Sequence, residues 1–331
     1  MLLIDRDATR AALPFGPLIP ALRQMFVDGC EVPLRHTHQV QAPDGSAQGT
    51  VLIMPAWQSG RYFGLKTVNI FPGNAARGLP GLHATYVLYD ARTGVPLAQL
   101  DGNEITARRT AAASALAASF LARPDAATLL VVGAGRVGSL LPYAYRVVRP
   151  IRRVLVWDRT PAHALALVER LLADGVSAEA GKDLAAAVAR ADIVCCATLS
   201  TQALVQGTWL APVSHLDLIG SFAPHMREAD DACFVGARIV VDTPEALQKS
   251  GDLLGPLASG AILPADVSAT LADLCRGVAP GGAAASQRTV FKSVGTALED
   301  LAAAVLVYES LQVPPASPCL NSMESSPTPP S

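Results

Sequence analysis

The segment TLLVVGAGRVGSLL (128–141) restricts the possible folds more than any other part of the 331-residue chain. A short apolar strand runs directly into Gly133, Gly135 and Gly138, and a helical pattern follows. Glycines at this spacing allow a tight turn, a close approach of the backbone to a pyrophosphate, and close packing of helix on strand. The helix N-terminus adds oriented N–H groups for the phosphates. The segment therefore predicts a dinucleotide-binding loop.

A carboxylate in a suitable place gives this loop a second signal. Asp158 ends the next apolar strand, RVLVW (153–157), and follows Gly138 by 20 residues (158 − 138). A carboxylate there binds the ribose 2′-hydroxyl and repels a 2′-phosphate, which favours NADH over NADPH. Arg159 could hold that phosphate, so NADPH stays open. Within the loop itself, the predicted cofactor contacts include Arg136 and Val137.

Short apolar runs alternate with helical patterns through the middle of the chain. The strand-like runs include DIVCCAT, HLDLIG and ARIVVD, and the helix-like patterns include RVGSLLPYAYRVV, PAHALALVERLLA and LAAAVARA. Continuous apolar strands separated by helices are typical of a parallel sheet that is covered on both faces. We therefore predict an α/β fold in which residues 121–295 form a Rossmann-type, doubly wound parallel sheet.

The segments on either side of this region have different patterns. Residues 1–120 contain alternating stretches such as HATYVLYDARTGVPLAQLDG, which predicts a hairpin with its turn at ARTG. TARRTAAASALAASFLA predicts a helix, and TVFKSVGTALEDLAAAVLVYESL (289–311) predicts one long helix that packs back on the N-terminal part. Residues 313–331 are rich in proline and serine and predict a disordered tail.

The composition excludes several classes of protein. The formal net charge is −2 and the basic residues form no run with aromatic neighbours, which argues against a nucleic-acid partner. No apolar run approaches the roughly 20 residues that a membrane-spanning helix needs. Six scattered cysteines without a CxxC pair indicate reduced thiols in a cytoplasmic protein, with no zinc or other metal site.

Three further segments resemble the ornithine cyclodeaminase/μ-crystallin family: MPAWQSGRYFGLKTVNIFPGN (54–74), ITARRTAAASALAA (105–118) and TVFKSVGTALEDLAAA (289–304). The resemblance extends over nearly the whole chain. It implies a homodimer in which a second, α+β domain binds substrate and mediates dimerisation, and residues 1–120 together with 296–312 would form that domain. Members of the family include cyclodeaminases, alanine dehydrogenases, ketimine reductases and crystallins that bind NADPH.

The resemblance implies that Arg35, Lys66 and Arg109 hold a substrate carboxylate. Two of these residues are unusual on physical grounds as well. Arg108 and Arg109 fall in the predicted first turn of a helix, where a cation is disfavoured unless an anion docks there. We expect Arg109 to meet that anion and Arg108 to be a solvated surface residue. Lys66 is one of only four lysines and lies among apolar neighbours, which suits a compact ammonium with a shiftable pKa.

Further cofactor contacts are implied by the same resemblance. They lie beside Arg109, in the loop after the fourth strand of the parallel sheet, and at the start of the last predicted helix. The positions are Thr110, Ala197, Thr198, Ser200, Ser293 and Gly295. Each hydroxyl among them could instead cap a helix or close a turn, and this alternative is serious for Ser200.

One loop departs from the pattern of the cyclodeaminases. Those enzymes carry an aspartate in GDxPGKxE, and alignment with GSFAPHMRE through Pro224 and Glu228 places Phe222 at that position. They also have a glutamate two residues before the MP pair, where this chain has Leu52. Cyclodeamination needs a group that deprotonates and orients the distal ammonium of the substrate. Reduction of a preformed cyclic imine needs only a grip on one carboxylate and is helped by an apolar wall.

Two nearby residues could replace the missing carboxylate. Asp217 lies within a strand, where we expect it to have a structural partner. His225 follows Pro224, and we expect it on the surface. The loop therefore points away from cyclodeamination.

These features predict an NAD(P)H-dependent reductase of cyclic ketimines in proline metabolism, which acts on Δ1-pyrroline-2-carboxylate and Δ1-piperideine-2-carboxylate. Phe222 would face the small cyclic imino acid, Lys66 is the candidate proton donor, and a bound water is equally admissible as donor. The alternatives are an ornithine cyclodeaminase or an alanine-type amino-acid dehydrogenase. From another class, a crystallin-like protein that binds NAD(P)H with little catalysis also stays open.

Overall fold

Two β-sheets organise residues 1–282 and 287–312, which this computed structural model describes. The strands of the first sheet are β1 (Leu2–Ile4), β2 (His36–Gln41), β3 (Ala47–Trp57), β4 (Tyr62–Ile70), β5 (Leu82–Asp90) and β6 (Pro96–Asp101). Their spatial order is β1-β6-β5-β4-β3-β2, and every neighbouring pair is antiparallel except β1 and β6. The predicted hairpin is confirmed as β5 and β6.

Ten α-helices lie within the described residues. They are α1 (Arg6–Ala11), α2 (Phe15–Asp28), α3 (Gly102–Leu121), α4 (Leu141–Val148), α5 (Pro161–Ala173), α6 (Leu184–Ala189), α7 (Ala246–Lys249), α8 (Gly251–Ser259), α9 (Leu271–Cys275) and α10 (Ala297–Gln312). Helix α10 packs on β3, β4 and β5 of the first sheet and on α2 and α3. Helix α3 contacts β4, β5 and β6 of the first sheet, and it also contacts α4 and two strands of the parallel sheet that is described below. It therefore lies between the two sheets.

Buried residues alternate with less buried ones along the central strands of the first sheet, because one face of this sheet packs against α3 and α10. In β4 the buried positions are Gly64, Lys66 and Val68, and in β5 they include Tyr86. Lys66 therefore points into the core, at a position where a hydrophobic residue is expected.

The second sheet is parallel and has eight strands. They are β7 (Thr128–Val132), β8 (Arg153–Trp157), β9 (Ala178–Ala180), β10 (Ile193–Cys196), β11 (His215–Leu218), β12 (Arg238–Val241), β13 (Val267–Thr270) and β14 (Thr289–Lys292). Their order is β13-β12-β14-β11-β10-β7-β8-β9. The chain runs outward from β7 through β8 to β9 and then outward in the other direction through β10 and β11, so the order reverses between β7 and β10. This confirms the predicted doubly wound sheet, in which ligands bind beyond the carboxyl ends at the reversal.

The segment TVFK (289–292) corrects the prediction of one long C-terminal helix. It forms strand β14, which pairs with β11 on one side and β12 on the other, and α10 begins only at Ala297. All four residues of β14 are buried. Periodicity cannot distinguish such a short, fully buried strand from a buried helix, which is why the prediction was wrong. Helix α4 likewise begins at Leu141, later than the predicted start at Arg136.

The start of α3 corrects a second expectation. The helix begins at Gly102, and the Asp101 side chain caps it by accepting a hydrogen bond from the Glu104 N–H at 2.8 Å. Arg108 and Arg109 thus lie about two turns inside the helix, because one turn holds about 3.6 residues. Arg108 is not the solvated residue we expected, since its Nη1 donates to the Leu13 carbonyl oxygen at 3.0 Å.

The predicted disordered tail, residues 313–331, lies outside the described residues. Among the residues that are described, no helix combines the length and the apolar character that crossing a membrane requires.

The burial of β14 predicts that replacing Phe291 will lower the free energy of unfolding far more than replacing Phe222. Phe291 of β14 is fully buried, whereas Phe222 is 46% exposed. We expect Phe291→Ala to lower the free energy of unfolding by about 3–5 kcal/mol, because it leaves a cavity in a central strand. Phe222→Ala should lower it by less than about 1 kcal/mol. Denaturant titration of both variants at one protein concentration makes the comparison, and equal losses would contradict the central position of β14.

Candidate active site

The glycine loop follows β7, at the edge of the sheet where the strand order reverses. Gly133 has a φ of +99°, and a Cβ added there would lie 2.7 Å from the Ala197 carbonyl oxygen. A Cβ at Gly138 would collide with the Gly133 carbonyl oxygen. A Cβ at Gly135, in contrast, would meet no atom within 4 Å. The loop is thus tightly packed against the residues that follow β10 on one side and open at the point where a pyrophosphate would approach.

Asp158 ties the end of β8 to this loop. Its Oδ2 accepts a hydrogen bond from the Ala134 N–H at 2.8 Å, and its Oδ1 accepts one from the Thr160 N–H at 2.8 Å. The His163 Nδ1 lies 3.4 Å from Oδ1. Arg159 is exposed beside it. Arg136 is exposed and Val137 is half-buried in the glycine loop. These predicted cofactor contacts all follow β7 or β8, so they lie beyond the carboxyl ends of these two strands.

The loops after β10 and β11 are held together by one buried carboxylate. Glu228 accepts hydrogen bonds from the N–H and the hydroxyl of Thr198, at 2.6 and 2.7 Å, and from the Gly220 N–H at 2.7 Å. Burial raises the pKa of Glu228 to about 7. Ala197 is half-buried beside Thr198. The Ser200 hydroxyl donates to the Gln202 carbonyl oxygen at 2.7 Å, so in this structure it closes a turn.

Two buried cations lie on the inner side of the first sheet. Lys66 of β4 and Arg109 of α3 are only 1% and 6% exposed. The Lys66 Nζ lies 2.5 Å from the Asp300 Oδ2, and the Arg109 Nε donates to the Asp300 Oδ1 at 2.9 Å. The Arg109 Nη1 donates to the Glu299 Oε2 at 2.5 Å. Asp300 of α10 therefore bridges the two cations, whereas the adjacent Glu299 contacts only Arg109 of the two.

These contacts shift the pKa of every group in the cluster. Burial lowers the pKa of Lys66 to about 8, against the charge of Asp300, which raises it. For Arg109, burial acts to lower the pKa, but the charges of Asp300 and Glu299 prevail and raise it. Burial raises the pKa of Glu299 to about 7 despite the nearby guanidinium of Arg109. The pKa of Asp300 is lowered, because Lys66 and Arg109 outweigh the effect of burial.

The loop between β14 and α10 brings Arg35 into this group. The Arg35 Nη2 donates to the Gly295 carbonyl oxygen at 3.2 Å. Gly295 has a φ of +77°, and a Cβ there would lie 2.7 Å from the Arg109 Nη1. Asp242, which follows β12, accepts hydrogen bonds from the Val294 and Gly295 N–H groups at 2.8 and 2.7 Å. Two of the three predicted carboxylate ligands, Arg35 and Arg109, thus lie against a loop that begins in the dinucleotide-binding sheet, and Asp300 joins Lys66 to Arg109.

The remaining predicted residues are placed as follows. Ser293 is buried in the same loop. The Thr110 hydroxyl donates to the Thr106 carbonyl oxygen at 2.7 Å inside α3. Phe222 is 46% exposed in the loop after β11. Asp217 is fully buried and accepts a hydrogen bond from the Tyr145 hydroxyl at 2.9 Å, which confirms the structural partner we expected for it.

The sequence analysis missed Glu299 and Asp300. The signal was available, because the two acids interrupt a helical pattern that is apolar on every side. Acidic residues are almost never fully buried without partners, so such a helix requires cations opposite it. Lys66 and Arg109 are those cations, but the long sequence separation hides the pairing.

The fold and the site define a Rossmann-type dinucleotide-binding protein with a buried pair of cations, Lys66 and Arg109, that two carboxylates of α10 hold. The chain belongs to the ornithine cyclodeaminase/mu-crystallin family, whose model matches residues 17–313. This confirms the resemblance seen in the sequence.

Individual relatives cover almost the whole chain. It is 45% identical over 299 residues to the Δ1-pyrroline-2-carboxylate reductase of Paracoccus denitrificans, covering 89% of this chain and 92% of that protein. Among solved structures, that of the Thermococcus litoralis Δ1-pyrroline-2-carboxylate reductase in complex with NADH and L-proline has a TM-score of 0.87. Identity to it is 31%, with 94% of this chain and 98% of that chain covered. An archaeal alanine dehydrogenase dimer with bound NAD also has a TM-score of 0.87, at 29% identity, and covers 95% and 97%.

The geometry of the glycine loop predicts that two substitutions will have different effects. Gly133→Ala should destabilise the protein by about 1–3 kcal/mol, because its φ is unfavourable for alanine, and it should also weaken NADH binding. Gly135→Ala should change the free energy of unfolding by less than about 1 kcal/mol and still weaken NADH binding, since its methyl group would fill the open space. Denaturant titration and NADH fluorescence titration separate the two effects. Wild-type NADH affinity in Gly135→Ala would show that the pyrophosphate does not lie over this loop.

Proposed function

We propose that this protein catalyses the NAD(P)H-dependent reduction of cyclic ketimines, converting Δ1-pyrroline-2-carboxylate to L-proline and Δ1-piperideine-2-carboxylate to L-pipecolate. The observation that carries the proposal is the buried pair of Lys66 and Arg109 beside the β14–α10 loop. It offers donors for one carboxylate at the edge of a dinucleotide-binding sheet. The identity to a Δ1-pyrroline-2-carboxylate reductase and the fold shared with a second one support the same reaction.

The residues present suit a nicotinamide dinucleotide. The open space at Gly135 would receive the pyrophosphate, and Asp158 and Arg159 would lie beside the adenosine ribose. When bound, the reduced cofactor supplies the hydride that reduces the imine carbon. Lys66, Arg109 and Arg35 would hold the substrate carboxylate and fix the ring in position. Such positioning supplies much of the rate in reactions of this kind.

The imine nitrogen must gain one proton as its carbon gains the hydride. We propose Lys66 as the donor, because its ammonium would lie beside the substrate carboxylate and burial lowers its pKa to about 8. A group with a pKa near the working pH can both give a proton and regain it. The products are then the saturated ring, the oxidised cofactor and a lysine that takes a new proton from solvent.

Three observations argue against ornithine cyclodeamination. Phe222 is at the position where the cyclodeaminase pattern has an aspartate. Asp217 is fully buried and bonded to Tyr145, so it is a poor replacement. Glu299 and Asp300 already pair with Arg109 and Lys66, so they do not offer a free carboxylate to the distal ammonium of ornithine.

We also propose that the protein is a cytoplasmic homodimer, in which residues 1–120 and 296–312 form the domain that binds substrate and mediates dimerisation. The archaeal alanine dehydrogenase of the same fold is a dimer. Strand β2 forms an edge of the first sheet and is mostly exposed. Among the described residues no further strand pairs with it, so this edge could receive a second copy of the chain. The five described cysteines are free thiols, as is usual in a reducing compartment.

The direct test is oxidation of NADH and of NADPH by the purified protein with Δ1-pyrroline-2-carboxylate. Ornithine with NAD, and pyruvate with ammonia and NADH, serve as parallel assays for the two alternative reactions. We expect turnover with the imine and none with ornithine. Ammonia release from ornithine would place a carboxylate in the Phe222 loop after all. Activity only with pyruvate and ammonia would indicate an amino-acid dehydrogenase. Silence in all three assays, with NADH still bound, would indicate a binding protein.

Replacing the buried lysine gives a second test. Lys66→Met should reduce kcat/KM for the imine by at least about 100-fold, because general acid catalysis alone contributes about 100- to 10,000-fold, while NADH binding is retained. Lys182→Met is the matched control, since Lys182 is exposed and lies in neither the first sheet nor the helices α3 and α10 that surround Lys66. Steady-state kinetics and NADH fluorescence titration provide the measurements. Equal activity of the two variants would remove Lys66 from the site.

A further inference from the structure

Lys66 is an ammonium in an apolar core, and its surroundings do little to keep it charged. Its register neighbours on the inner face of the sheet are Met54 of β3 and Tyr86 of β5. The Tyr86 hydroxyl is buried and has no hydrogen-bond partner within the described part of the chain. Helix α3 contributes the Thr106 hydroxyl, which accepts from Nζ at 3.3 Å, and the positive Arg109. Among residues 1–282 and 287–312, Asp300 is the only carboxylate in contact with Lys66.

We propose that Asp300 is a positioning residue that keeps Lys66 protonated in the apolar core and holds it beside Arg109, so that both cations meet one substrate carboxylate. The proposal rests on the proposed function only in taking Lys66 and Arg109 as the ligands of that carboxylate.

The geometry suits this role because each oxygen of one carboxylate faces a different cation. Oδ2 lies 2.5 Å from the Lys66 Nζ, and Oδ1 accepts from the Arg109 Nε at 2.9 Å. Asp300 is itself fully buried in α10, so packing of that helix determines where both cations lie. Among the residues that the structure describes, Asp300 and Glu299 accept from the Nε and the Nη1 of Arg109, which leaves its Nη2 for a ligand.

The charges around Lys66 determine the sign of the effect. Burial lowers the pKa of Lys66 most, the positive Arg109 and Arg35 lower it further, and Asp300 raises it. The net result is a pKa of about 8, so Lys66 is mainly charged at pH 7. Without the negative charge of Asp300, burial and the two arginines would act unopposed. The pKa of Lys66 would then fall, and Lys66 would be neutral at a pH where it is now charged.

Glu299 provides a matched control on the adjacent position of the same helix. It is as buried as Asp300 and pairs with the same arginine, but it makes no contact with Lys66. Glu299→Gln therefore removes a buried carboxylate and an ion pair without removing the partner of Lys66. Any effect of helix damage or of a weakened Arg109 should appear in both variants.

The first experiment compares pH profiles of kcat/KM for Δ1-pyrroline-2-carboxylate in the wild type, Asp300→Asn and Glu299→Gln. In the wild type we expect kcat/KM to fall as the pH rises through about 8. In Asp300→Asn this decline should occur at lower pH, and well above pH 8 the loss relative to the wild type should approach about tenfold for each unit by which the pKa of Lys66 falls. Activity should recover as the pH is lowered. In Glu299→Gln the decline should stay at the wild-type pH. Ionisation of the substrate is common to all three proteins and cancels in the comparison.

The second experiment observes the lysine itself and does not depend on activity. The chain has only four lysines, at positions 66, 182, 249 and 292, so selective 13Cε-lysine labelling gives few NMR signals. Lys66→Arg assigns the signal of Lys66. We expect its titration midpoint to move to lower pH in Asp300→Asn and to stay in place in Glu299→Gln.

The outcomes separate this inference from the proposed function. An inactive wild type would overturn the reductase, while the lysine titration would still test Asp300. An active wild type, with the same pH decline and Lys66 titration in Asp300→Asn as in Glu299→Gln, would overturn the inference. If Asp300→Asn does not fold, Asp300→Glu keeps the charge but shifts it by one methylene group. In Asp300→Glu we expect Lys66 to titrate at the same pH as in the wild type and the KM for the imine to be raised. An unchanged KM would refute the positioning role.

Discussion

Two cations cannot lie side by side in an apolar core unless negative charge lies with them, and this requirement shapes the molecule. Lys66 and Arg109 come from a strand and a helix, and both are almost completely buried. Asp300 contacts both, and Glu299 contacts Arg109. Helix α10 therefore has two roles at once: it covers the first sheet, and it brings the negative charge that allows two cations to be buried there.

The C-terminal part of the chain also links the two sheets. Strand β14 lies between β11 and β12 in the parallel sheet, and α10 begins on the first sheet after four intervening residues. The short loop between them is held by Asp242 from one side and by Arg35 from the other. The dinucleotide-binding sheet and Arg109 meet at this loop, so in the proposed reaction it would join the cofactor site to the carboxylate site. This arrangement suits hydride transfer to a small ring.

The sequence was informative where the signal is local and less so where partners are distant. The glycine spacing and Asp158 predicted the dinucleotide loop, because turn and strand patterns depend on neighbouring residues. The strand TVFK (289–292) was mistaken for helix, since a buried central strand has no period of its own. The bridge from Asp300 to Lys66 spans most of the chain, so no local pattern reveals it. The resemblance to a family identified the cations, but only the packing of α10 identified the carboxylates that hold them.

The most direct measurement is a crystal structure of the protein with NADH and L-proline bound. We expect the proline carboxylate to contact Lys66 and Arg109, its ring to lie toward Phe222, and Asp300 still to bridge the two cations. A proline carboxylate bound away from Lys66 and Arg109, or an Asp300 that has turned away from Lys66, would contradict this expectation.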